Sequence, residues 1–156
     1  MVAVGGGAYL LARDDDDGGP DRSPATTSVG RTTTKGGGST PAARRTAVAR
    51  DVARLMTLSA KGRALTAVDP QAALVNRRRV LRRLDALRPA DDGQRTAIDA
   101  FRDAIRASIS ANQARLAGRP ATADADATAA KRRFCDLWSS SGMAADAQRS
   151  CDPGRI

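Results

Sequence analysis

The chain has 156 residues, 28% of them charged, and a formal net charge of +9. Its cations are 23 Arg and 3 Lys, its 17 acids are all Asp, and it contains neither His nor Glu. This excludes Ser-His-Asp and Cys-His catalytic pairs, imidazole metal ligands and a histidine proton switch, and it leaves acid–base chemistry to Asp alone. No enzyme activity, cofactor or bound metal is expected.

Only Tyr9, Phe101, Phe134 and Trp138 are aromatic. The core must be built from Ala, Leu, Val and Ile, which suits closely packed helices better than a sheet. The Arg and Asp bias, with abundant Ala and Gly, matches GC-rich codon usage, so part of the positive charge needs no partner to explain it.

The chain opens with "MVAVGGGAYLLA", twelve apolar or small residues followed by "RDDDDGG". Twelve residues are too few to cross a bilayer, which takes about 20, and they lack the positive flank of a signal peptide. Residues 1–12 read either as a loose Gly-rich tail or as the trailing part of a longer transmembrane or signal segment. Residues 13–40 are rich in Gly, Ser, Thr and Pro and are expected to form a disordered linker.

A helical period begins after Thr40. The first helix is expected over about 41–68, with Thr40 as N-cap and Pro41 in its first turn. Val48, Val52, Leu55, Ser59, Gly62 and Thr66 form its stripe. Val68-Asp69-Pro70 ends it and caps a second helix over about 70–87, with Leu74, Val80, Leu81, Leu84 and Leu87 on its apolar side. Arg88-Pro89 stops that helix. Asp91 or Asp92 caps a third, over about 93–117, whose stripe includes Ile98, Phe101, Ile105, Ile109 and Asn112. Gly118 and Pro120 punctuate its end. A fourth helix starts near Thr122 and turns Ala127, Ala130, Phe134, Leu137 and Trp138 inward, losing its pattern at "SSSG". Short links make these helices antiparallel neighbours. The fold expected is all-α, an up-down four-helix bundle over 41–141 with a C-terminal tail over 142–156.

Residues 41–90 carry a net charge of +9 and residues 91–156 only +1. The dense stretch is "NRRRVLRR", with Arg77, Arg78, Arg79, Arg82 and Arg83. It reads as a solvated helix face, or as a contact for an anionic surface. These arginines spread around the helix, and Arg78 is placed on the apolar stripe between Leu74 and Leu81, where it must snorkel or pair with Asp99 or Asp103. No zinc finger, aromatic RNA-binding run or helix-turn-helix is present, so specific nucleic-acid binding is not favoured. Ser59 and Lys61 face different sides of a helix and cannot act as a dyad. Ser108 and Asn112, one turn apart, are expected to satisfy each other or a neighbouring helix. The Gly runs at 5–7 and 36–38 lack the strand and helix that a phosphate loop requires.

Cys135 and Cys151 have fifteen residues between them. Two cysteines without His make no metal site, the spacing is wrong for a redox motif, and no base is present to activate a nucleophile. A bridge or two inert thiols remain. A bridge would tie the tail to the fourth helix and indicates an oxidising compartment.

The ending "AAKRRFCDLWSSSGMAADAQRSCDPGRI", with "LMTLSAKGRALTAV" and "NRRRVLRRLDAL" in the first two helices, resembles a group of uncharacterised actinobacterial proteins. Those have one N-terminal membrane segment or signal, a low-complexity linker and a helical outer domain. Phe134, Leu137, Trp138 and Ile156 stand at the group's aromatic, Leu-Trp and terminal Ile positions. The similarity spans Leu55 to Ile156. It departs at "SSSG", where a longer apolar loop is usual, and at Arg155, where an acid is usual. The resemblance implies a domain outside the cytoplasm, at the cell membrane or secreted, that meets a protein or an anionic envelope component. It transfers no activity. The alternative is a cytosolic basic helical protein that binds nucleic acid.

Overall fold

The computed structural model describes residues 40–119 and 121–156, all within the unit Gly37–Ile156. The expected membrane or signal remnant over 1–12, and residues 13–39 of the expected linker, lie outside the described residues.

Three of the four long helices follow caps that the sequence supplies. Thr40 accepts a hydrogen bond from the Ala43 N–H at 3.2 Å and opens α1 (Pro41–Leu65). Asp69 accepts from Ala72 at 2.9 Å and opens α2 (Pro70–Ala86). Asp91 accepts from Gln94 at 2.8 Å and opens α3 (Asp92–Leu116). α4 runs Ala121–Ser140. A short α5 (Met143–Asp146) and a 3-10 turn (Pro153–Arg155) complete the chain. α1 stops at Leu65 rather than Val68 because the chain tightens there: Thr66 donates to Arg63 O and Val68 to Leu65 O, each three residues back. Gly118, at φ +73°, turns the chain out of α3.

The helices form an antiparallel all-α bundle in which α3 packs on α4, α1 on α2, and α2 on α3. α1 and α4 make little direct contact; α5 and the 3-10 turn each touch both. The tail therefore fills the fourth seam. Sequence periodicity shows no pattern after Met143, yet Met143 is fully buried and Ile156 only 4% exposed. A single anchoring side chain per short turn leaves no period to read.

The core centres on Phe101, Phe134 and Trp138. Phe101 and Phe134 stack at 4.3 Å between ring centres, and Trp138 lies 6.2 Å from Phe134. Val52, Met56, Val80, Leu84, Ile98 and Ile105 close around them. The Trp138 indole N–H donates to Arg149 O at 2.8 Å, and Arg149 reaches across to Ala53 O at 2.9 Å on α1. These bonds seat the tail in its seam.

Candidate functional site

Cys135 and Cys151 are bridged, with Cα atoms 5.2 Å apart. Cys135 is buried beside the aromatic core, and Cys151 packs against its edge. The bridge pins the tail to α4 just before the 3-10 turn.

The five arginines of the second helix divide. Arg78, Arg79, Arg82 and Arg83 are exposed, whereas Arg77 is 5% exposed. The buried line of α2 is Ala73, Leu74, Arg77, Val80 and Leu84. The expectation that Arg78 occupies the stripe is thus off by one position, about 100° of helix rotation. Nor does Arg78 pair with Asp99 or Asp103. Asp99 pairs with Arg102, and Asp103 with Arg106 at 3.3 Å.

One end of the bundle is tightly latched. Arg45, on α1, donates to Asp146 at 2.7 Å, to Asp91 at 2.8 Å and to the Ser141 carbonyl. The hydrogen bond to Asp146, then the charge of Asp91, raises its pKa. The buried Gln94 donates to Arg45 O at 2.8 Å and accepts from Ala90 N at 3.0 Å. Every polar group named here has a partner.

The opposite end is different. A cavity of about 450 Å³ lies where the last turns of α1 and α3 meet the middle of α2, the first half of α4 and the 3-10 turn. Its charged lining is Arg63 from α1, Arg77 from α2, Arg115 from α3, and Asp124, Lys131 and Arg132 from α4. Five cations thus face one carboxylate, which Arg115 already engages at 2.9 Å. Arg77 donates to Thr66 at 3.2 Å through one terminal nitrogen. Its other, Nη1, is buried without a partner. Ser108 Oγ and Asn112 Nδ2, in the same wall, are also buried and unpartnered. The expectation that Ser108 and Asn112 satisfy each other or a neighbour is therefore corrected. They are 3% and 2% exposed, and each keeps a donor without an acceptor.

The crowding of like charge weakens the hold of two of these groups on their protons. Burial, then repulsion from Arg115 and Arg63, lowers the Arg77 pKa to about 10. Burial, then Arg63, Arg77 and Arg115, lowers that of Lys131 to about 8, against a weaker opposing pull from Asp124. Sequence reasoning missed this site because its residues come from five separate elements. The one legible hint was an arginine close to the apolar line of α2.

A smaller cavity of about 320 Å³, lined by Met56, Thr57, Arg149, Asp152 and Ile156 among others, lies where the tail meets α1. Arg149 is committed there to Ala53 O and Thr57 Oγ1. Among the described residues no group of three or more Cys or Asp side chains is placed to hold a metal ion.

The fold and site define a disulfide-stapled helical bundle with one latched end and one basic, hollow end. No family model, curated protein or solved structure matches the chain.

Proposed function

We propose that the chain is a non-catalytic helical-bundle module that works outside the cytoplasm, membrane-tethered or secreted, in contact with a protein or an anionic component of the cell envelope. The observation that carries this reading is the Cys135–Cys151 bridge. Disulfides persist in oxidising compartments and are rare where thiols are kept reduced. Here the bridge secures the segment that fills the fourth seam, so it serves structure. The absence of His and Glu from the sequence supports a role without catalysis. Among the described residues no helix is long and apolar enough to cross a membrane. The tether therefore rests on the sequence of residues 1–12 and on the resemblance to single-pass actinobacterial proteins.

The exposed face of Arg78, Arg79, Arg82 and Arg83 favours the second reading, a cytosolic basic protein on nucleic acid. Thiol trapping separates the two. Cells are quenched in acid, alkylated without reductant and fractionated, and the protein is weighed intact. No alkylation, with recovery from the membrane or secreted fraction, is the expected result. Two alkylated cysteines in the soluble cytosolic fraction overturn the proposal.

A further inference from the structure

We infer that the basic cavity is a binding site for the phosphate group of a small phosphorylated molecule. The cavity holds five cations against one carboxylate, and its wall contains three buried donors with no acceptor: Arg77 Nη1, Ser108 Oγ and Asn112 Nδ2. As a dianion, a phosphate monoester group offers three acceptor oxygens and no donor, and it matches the guanidinium fork. It supplies what this wall lacks.

Helix capping explains part of the cluster. Arg63 and Arg115 stand in the last turns of α1 and α3, where cations complement the helix dipole. It does not explain Arg77 and Lys131, which come from the middle of α2 and α4. A bundle with nothing to hold would be better served by apolar side chains at both positions, because burying charge beside like charge opposes folding. Buried donors without acceptors are rare in folded proteins and call for a specific cause. The depressed pKa values of Arg77 and Lys131 agree with a site that is short of negative charge.

The cavity's size favours more than a bare ion. About 450 Å³ falls within the roughly 300–1,000 Å³ typical of small-molecule sites. Thr66 and Thr128 add hydroxyls, and Ala67, Ala111 and Pro153 add short apolar wall. That lining suits a compact polar body attached to the phosphate better than a long acyl chain.

The inference rests on the reading of the domain as a binding module and is independent of its compartment. The test accordingly uses purified, oxidised, full-length chain, so that it and thiol trapping in cells fail separately. Calorimetry and thermal melts are run with inorganic phosphate, with glycerol phosphate, and with phosphatidylcholine vesicles containing phosphatidic acid. Sodium chloride holds ionic strength constant, which removes general screening. Saturable binding with a rise in melting temperature is expected for both soluble probes, tighter for glycerol phosphate. Lys131→Met is expected to weaken it about ten-fold, the scale of one charge-assisted contact. Arg50→Met, which removes one exposed charge from α1, should leave it unchanged. Arg77→Met is the stronger test where that variant melts cooperatively; where it does not, Lys131→Met, at a half-buried position, decides the matter. Binding to the vesicles alone, and lost in Lys131→Met, keeps the phosphate but assigns it to a lipid headgroup. A linear, chloride-like response, or equal binding by the parent and Lys131→Met, overturns the inference.

Discussion

Replacing Lys131 by Met is expected to make the free protein more stable, by an amount that depends on pH. Lowering the lysine pKa from 10.5 to about 8 corresponds to about 3 kcal/mol at full strength, at 1.36 kcal/mol for each pKa step. Lys131 is only half-buried, so solvent screening reduces this to about 1–2 kcal/mol. The folded pKa lies below the unfolded one, which fixes the sign. Below about pH 8 the lysine is protonated in both states and the full penalty applies. Between about 8 and 10.5 the unfolded chain binds more protons than the folded one, so the stability of the parent rises with pH. Lys131→Met lacks that rise. Arg63, Arg77, Arg115, Asp124 and Arg132 face the same cavity, and the Arg77 pKa of about 10 sets the upper limit of a clean comparison. Urea unfolding of both proteins, in chloride buffers free of polyvalent anions, should show the variant ahead by about 1–2 kcal/mol at pH 7. The gap should narrow steadily up to about pH 9.5. A gap that does not change with pH, or a variant less stable than the parent at pH 7, refutes the reasoning that repulsion and burial act on Lys131.

Reducing the Cys135–Cys151 bridge should cost about 3 kcal/mol, the loop-closure value for a ring of this size, read as a drop in melting temperature on adding a phosphine reductant. Gly62→Ala should destabilise by about 1–2 kcal/mol, because the new Cβ would stand 2.2 Å from Asn76 Oδ1 where α1 crosses α2. Adding Asn76→Ala should recover much of that loss in a double-mutant cycle. Gly142→Ala should also cost about 1–2 kcal/mol by urea unfolding, since its φ of +78° is strained for alanine and the Cβ would meet the Arg45 guanidinium at 2.8 Å.

The bundle is legible in the sequence because its signals are local. Thr40, Asp69 and Asp91 each cap the helix that follows, and the stripe of α1 from Val48 to Gly62 is buried as its spacing dictates. The error at Arg77 and Arg78 is one of phase. Leu74 and Leu81 bracket Arg78 in sequence, but Leu81 is only half-buried, and the line from Ala73 to Leu84 runs through Arg77. Hydropathy discourages placing an arginine in that line, and the flanking leucines point to its neighbour instead. The tail fails for a different reason. Met143 and Ile156 are single anchors separated by irregular chain, and what they fill is a seam that only the assembled helices create. The hollow end needs the same assembly. Ser108 and Asn112 look like ordinary helix polar residues until α2 and α4 are seen to offer them no acceptor.

The latch at Arg45 has a mechanical consequence. Chain that continues before Thr40 joins the bundle at the end where Arg45 grips Asp91, Asp146 and the Ser141 carbonyl. Arg63, at the hollow end, lies about 27 Å further along α1 at 1.5 Å per residue. A load applied through that leading chain is met first by three charge-assisted bonds that clasp the start of α1 to the start of α3 and the ends of α4 and α5. The far end, where charge is crowded and partners are missing, contributes none of these bonds.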